Sequence, residues 1–263
     1  MRMCFKKLLM STILLIFISG CVSTVPKPSN QGVSKTKEDK ALAYTKLARG
    51  YLQKKQYSVA KDELEKALSI DPTHSDSNYV MGLLMMQLEQ YDTAEDHFVR
   101  AVKSNRENSA AAHDFGMFLC QLGKVRKSID YFEIAVSNPL FANAELSYMR
   151  AGECLAKIND PRAEKYLKSA LDANPRLHPA LYRLAVIKYN DQEYFSARAY
   201  IERYMAITES QPAALFLAYN IESNLNAADV AEKYRLELLE DFPGSDQANR
   251  LRRQFRDDVI NEQ

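Results

Sequence analysis

The sequence predicts an all-α fold, a superhelical solenoid of six helix-turn-helix units closed by a C-terminal capping helix. Three observations predict it. One phrase of apolar and small residues recurs from about Ala41, with further starts near Ser75, Ser109, Ala144, His178 and Pro212, so the intervals read 34, 34, 35, 34 and 34 residues. Small residues recur inside each phrase where two helices must approach closely. Pro72, Pro139, Pro175 and Pro243 fall near unit ends, where a residue without an amide donor stops a helix. A period of this length in helical sequence marks a stacked array in which each hairpin buries its apolar stripe against its neighbours.

The amino terminus carries a separate signal. Arg2, Lys6 and Lys7 make a basic start, Leu8 to Ile18 an apolar stretch of 11 residues, and Ile18-Ser19-Gly20-Cys21 follows. That stretch is too short to span a membrane and reads as a secretory signal peptide over residues 1–20. Its ending resembles the lipobox of bacterial lipoproteins, which implies acylation of Cys21 and cleavage before it. One acyl chain holds a protein to a bilayer only marginally, whereas two or more hold it stably. Val22 in place of Asp implies sorting to the outer membrane. Residues 21–40 are rich in proline, serine and lysine and poor in large apolar groups, so they read as a lipidated, flexible tether.

The units follow at 41–74, 75–108, 109–143, 144–177, 178–211 and 212–244. Unit 1 carries Tyr44, Leu47, Ala48, Tyr51, Tyr57, Ala60, Leu64, Ala67 and Pro72; unit 2 carries Gly82, Tyr91, Ala94, Phe98 and Ala101. Unit 3 has Gly116, Leu119, Ser128, Phe132 and Ala135. Unit 4 has Gly152, Leu155, Ala163, Leu167 and Ala170, with one residue lost from its turn at Asn159-Asp160-Pro161. Unit 5 keeps Ala185, Tyr194, Ala197 and Ile201, and unit 6 keeps Ala231, Leu238 and Pro243. This pattern resembles the tetratricopeptide repeat, without its usual tryptophan. Residues 245–263 alternate Leu251, Phe255 and Val259 with arginine and aspartate, a polar-backed helix suited to capping the last apolar face.

Composition narrows the function. The whole chain has 35 basic and 34 acidic residues, and loss of residues 1–20 leaves 32 and 34. A near-neutral chain has no bulk drive toward nucleic acid. The glycines Gly116 and Gly123 are wrongly spaced for a phosphate loop, and Val125 stands where that loop needs Ser or Thr. His74, His97, His113 and His178 are scattered without ligand spacing, so neither a metal nor another cofactor is expected. No nucleophile, base and orienter can be named together, which predicts a non-enzyme without a small-molecule substrate.

Cys120 and Cys154 are the thiols left in an oxidising compartment, on the first helices of adjacent units. Equivalent points on neighbouring helices sit about 8–10 Å apart, beyond the roughly 7 Å that a disulfide spans. A bridge through a shifted register and two separate buried thiols both stay open.

First helices line the inner face of such a solenoid, and side chains one turn apart project into it. Counting from the unit starts, that face comprises Arg49, Leu52, Tyr79, Leu83, Met86, His113, Met117, Tyr148, Tyr182, Val186, Tyr189, Phe216 and Asn220. A surface so rich in tyrosine and methionine suits an amphipathic helix or an extended peptide with apolar anchors.

The run Ala111-Ala112-His113-Asp114-Phe115-Gly116-Met117-Phe118-Leu119-Cys120-Gln121-Leu122-Gly123, with Tyr131-Phe132-Glu133, Asn138-Pro139-Leu140-Phe141 and Ala151-Gly152-Glu153-Cys154, resembles the type IV pilus biogenesis lipoproteins of the PilW/PilF type. His113-Asp114-Phe115 departs from that family's usual pair of asparagines and an aromatic. The resemblance implies a pilotin: an outer-membrane lipoprotein facing the periplasm, whose partner is the pilus secretin and which serves pilus biogenesis and twitching motility. The alternatives are a repeat lipoprotein of the outer-membrane β-barrel assembly machinery and a periplasmic adaptor for peptidoglycan enzymes.

Overall fold

The computed structural model describes residues 36–261, with side chains as far as Gln254. The expected signal peptide, Cys21 and the tether up to Lys35 lie outside the described residues, as do the side chains of Phe255 and Val259. Within the described part, six antiparallel helix pairs follow one another: α1 (Lys37–Gln53) with α2 (Tyr57–Ile70), α3 (Ser75–Gln87) with α4 (Tyr91–Ser104), α5 (Ser109–Gln121) with α6 (Val125–Ser137), α7 (Ala144–Lys157) with α8 (Arg162–Ala173), α9 (His178–Asn190) with α10 (Tyr194–Met205) and α11 (Pro212–Asn224) with α12 (Ala228–Asp241). A last helix, α13 (Asp246–Asn261), packs on α11 and α12. The fold is the all-α tetratricopeptide solenoid.

Local chemistry sets the helix ends. Thr36 and Asp39 form a reciprocal capping box that starts α1 at Lys37, so the helix reaches four residues into the stretch expected to be tether. The side chains of His74 and Asn108 accept from the backbone amides of Ser77 and Ala111 at the starts of α3 and α5. Every first helix stops the same way. Lys55, Glu89, Gly123, Asn159, Gln192 and Asn226 all take positive φ, and the next amide reaches back five residues, as Gln56 to Tyr51 and Gln90 to Met85, both at 2.9 Å. That is the Schellman closure, which satisfies carbonyls the helix leaves without partners.

Close packing inside each pair follows a rule of compensating size. A Cβ added at Gly82 would sit 3.1 Å from the Phe98 ring, and one at Gly116 3.0 Å from the Phe132 ring. Where the first helix carries alanine instead, at Ala48 and Ala185, the equivalent buried partner is smaller, Leu64 and Ile201. In unit 4 the helices come closer still, and a Cβ at Gly152 would lie 2.6 Å from Leu167.

The buried residues form a run of clusters along the axis. Units 1–3 are filled by Phe98, Phe115 and Phe118 with Leu64 and Leu84; Phe132, Leu155 and the two cysteines join units 3 and 4. Units 4–6 are filled by Leu167, Leu181, Leu184, Ile201 and Ile221. Leu215 and Leu238 meet Ala248 and Leu251 of α13, which covers the end of the array.

Unit 4 is out of step with its neighbours. Close-approach glycines are 34 residues apart at Gly82 and Gly116 but 36 apart at Gly116 and Gly152. Two residues are inserted in the α6–α7 connection, and one is missing between Asn159 and Ala163. Helix α7 begins at Ala144, yet its internal positions run one residue later than that start implies.

Candidate partner-binding face

The first helices reach one another from unit to unit, at α1–α3, α5–α7, α7–α9 and α9–α11, which puts them on the inner, shorter side of the curve. Three positions on each, three or four residues apart, share that side. The first holds Tyr79, His113, Tyr182 and Phe216; the second holds Arg49, Leu83, Met117, Val186 and Asn220; the third holds Leu52, Met86 and Tyr189.

Most of these side chains are half-buried and do two things at once. Leu52, Leu83 and Met86 pack against the core of units 1–3, Met117 against that of units 3–4, Tyr182, Val186 and Tyr189 against that of units 4–6, and Phe216 against the capped end. Arg49 is exposed and lies over the Tyr79 ring, 5.6 Å from its centre. Asn220 is spent locally, its amide donating to the Phe216 carbonyl at 2.7 Å.

Two of the predicted groove residues are not presented to the groove, one because it is buried in its row and one because it lies off the row. Tyr79 is buried at 8 % exposure, packed on Phe98, and its hydroxyl donates to the Asp114 carboxylate at 2.5 Å. Burial first and the Asp114 charge second push its pKa far up, so it stays a neutral donor joining units 2 and 3. Tyr148 sits one position off the inner row because of the insertion before α7. It packs on the core of units 4–6, and the row position belongs to buried Met149. Counted from Gly152, Glu153 and Ala156 take the two further inner positions of unit 4, which a count from Ala144 misses.

His113 is also a joint between units. Its Nδ1 shares a 2.7 Å hydrogen bond with the Ser147 hydroxyl, and its ring lies 5.8 Å from Phe132 and 6.2 Å from Phe141. Burial holds its pKa below the usual 6.5. Phe141 belongs to the inserted connection, and its neighbour Leu140 is 89 % exposed.

Cys120 and Cys154 are joined, with Cα atoms 6.0 Å apart. They are 34 residues apart but not equivalent, since the structural period there is 36. Cys154 stands two positions before the equivalent of Cys120, which is Ala156. The insertion slides α7 along α5 and brings the sulfurs together, which removes the basis of the 8–10 Å expectation.

Polar links bind the later units. Lys188, only 9 % exposed in its side chain, reaches Glu164 of α8 at 2.8 Å and Glu193 at 2.9 Å. Arg198 of α10 holds the buried Glu222 of α11 through a bidentate pair. Earlier units use more exposed links: Lys124 and Lys127 both meet Glu95 at 2.6 Å, and the Tyr166 hydroxyl donates to Glu133.

The tetratricopeptide repeat family matches residues 51–115. The type IV pilus assembly protein PilF of Pseudomonas aeruginosa is 23% identical over 237 residues, covering 89% of this chain and 92% of the relative. The solved P. aeruginosa PilF aligns with a TM-score of 0.68 at 22% identity, over 83% of this chain and 99% of that one. The structure of PilW, described as a widely conserved type IV pilus biogenesis factor, aligns with a TM-score of 0.64 at 28% identity, over 80% and 97%. This chain thus has the fold of a tetratricopeptide-repeat solenoid, with a family match over residues 51–115, and the relatives it resembles along most of their length are type IV pilus proteins.

Proposed function

We propose that this protein is a pilotin: an outer-membrane lipoprotein, acylated at Cys21, whose solenoid binds the type IV pilus secretin and promotes its localisation and multimerisation. The observation that carries this reading is similarity to PilF across 89% of the chain, rather than across one repeat. Pilus biogenesis and twitching motility then depend on it. The solenoid acts by holding a protein segment and performs no catalysis. The acyl chains at Cys21 supply the membrane address, and the inner face with its half-buried tyrosines supplies the contact.

The test is deletion of the gene, followed by measurement of heat-resistant secretin multimers and of a major porin in outer-membrane fractions. Lost multimers with unchanged porin are the expected result. A joint loss would assign the protein to β-barrel assembly, and no change in either would leave the peptidoglycan adaptor. Cys21→Ala should leave a folded solenoid and a mislocalised secretin; correct secretin placement in that variant would sink the lipid-carrier role.

A further inference from the structure

A hollow of about 350 Å³ lies between units 4 and 5. Ala156, Val186 and Ile187 form its apolar floor, and the α7–α8 turn at Asp160-Pro161 closes one end. Its origin is the irregularity of unit 4. The turn is one residue short, and Ala156 occupies the inner position where units 1, 2 and 5 carry Leu52, Met86 and Tyr189. A methyl group stands where a large side chain would fill the space. Val186, already an inner-face residue, lines the hollow from α9.

Charge on the rim is asymmetric. The Asp160 carboxylate is occupied by Arg162 at 2.9 Å, and Glu164 by Lys168 at 2.7 Å and Lys188 at 2.8 Å. Asp191 follows α9, eight residues beyond Arg183, or roughly 12 Å along the axis. Arg183 on the rim, and Lys157 beside the floor residue Ala156, make no ion pair among the described residues. A ligand group near Arg183 therefore meets an uncommitted cation while Asp160 and Glu164 are already engaged; Asp191, farther along α9, also lines the hollow and makes no ion pair among the described residues.

We infer that this hollow is an anchor subsite: it takes one large apolar side chain of an extended protein segment, and an acidic residue beside that side chain pairs with Arg183. The inference rests on the inner-face reading above only in assuming that a protein segment lies along that face. Apolar burial supplies affinity, and the guanidinium fixes which way the segment runs.

The test uses the full chain and three labelled peptides in one glycine-serine frame: a phenylalanine flanked by aspartates, the same with alanine for phenylalanine, and the same with lysines for aspartates. Binding is read by fluorescence anisotropy and located by the methyl signals of Val186 and Ile187. The first peptide should bind saturably and shift those methyls, with at least ~10-fold weaker binding without the ring and ~5-fold weaker binding with lysines. Ala156→Leu, a size already present in unit 1, should abolish binding. Arg183→Glu, a rim change that spares the core, should invert the aspartate preference.

Saturable binding that shifts only methyls outside units 4 and 5 would overturn the hollow and leave the inner-face reading standing, as would no binding by any peptide in a protein whose deletion still removes secretin multimers. Binding at the hollow in a protein whose deletion spares those multimers would support the subsite and overturn the pilotin reading.

Discussion

Units 2–3 and units 4–6 share one fold and hold it by different means. The earlier units set glycine on the first helix against phenylalanine on the second, and Phe98, Phe115, Phe118 and Phe132 fill their centre. The later units rely on aliphatic residues and spread polar joints through the interfaces: Lys188 between Glu164 and Glu193, and Arg198 on Glu222. Their tyrosines, Tyr182 and Tyr189 among them, stand on the inner side, where Tyr182 lies 5.4 Å from Tyr204 and Tyr189 5.7 Å from Tyr194. The repeat thus fixes the volume shared by two helices and leaves open which residues supply it. Aromatic mass spent inside the early units is available at the surface of the later ones.

The largest effect should come from breaking a buried joint. Arg198→Met leaves the Glu222 carboxylate, 3 % exposed, without its cation, and should cost about 3 kcal/mol in urea unfolding, whereas Arg198→Met with Glu222→Leu should recover most of it. If the single change were as mild as an exposed-pair loss, the later units would not depend on this joint.

The compensating-size rule can be tested next by a double-mutant cycle. Gly82→Ala crowds the Phe98 ring and should cost about 2 kcal/mol. Phe98→Leu leaves a void and should cost roughly as much. Together they recreate the alanine–leucine pairing of unit 1, so the combined cost should fall clearly below the sum. Additive costs would mean that the pairing reflects composition rather than shared volume.

A smaller effect separates the turns. Gly123, at φ 74°, is the glycine among the six left-handed closures, and Gly123→Ala should cost about 1 kcal/mol. The matching change Gln192→Gly in unit 5 relieves a strained residue and should be neutral or slightly stabilising in thermal melts.

The smallest effect is confined to the early units. Burial lowers the pKa of both His97 and His113 below 6.5. The unfolded chain takes up protons near pH 6.5 before the folded one does, so their contribution is present above that pH and is lost as pH falls below it. Between about pH 7.5 and 5.5 the Tm should drop by a few degrees, and replacing both histidines by asparagine should flatten that slope. An unchanged slope would assign it to other groups.

Much of this architecture was legible in the chain because a solenoid is set by local spacing. The period of 34, the small residues opposite Leu64, Phe98 and Phe132, and the stopping prolines act within one unit or between neighbours. What escaped depends on register. The one-residue loss in the turn of unit 4 shows in the sequence, but counting that unit from Ala144 hides the two-residue insertion before α7, and so moves Tyr148 onto the inner row and makes two cysteines look equivalent. Gly152, as the fixed close-approach point, was the signal that could have corrected both. Tyr79 keeps its row, but its burial in a joint between units escapes for another reason: its partner Asp114 lies 35 residues away, and no periodicity within a unit reveals that pairing.

The bond between Cys120 and Cys154 also determines how the molecule would yield to a pull along its axis. Repeats joined end to end give way one after another under load, each releasing its hidden length of chain. The loop closed by this bond spans 34 residues, so it withholds about 110–120 Å of extension at ~3.3–3.6 Å per residue. Oxidised and reduced protein stretched between their ends should therefore differ in fully extended length by that amount. Helix α6 and most of α7 would remain a short inextensible link in the middle of the chain, while α8 and the start of α5, outside the loop, still extend.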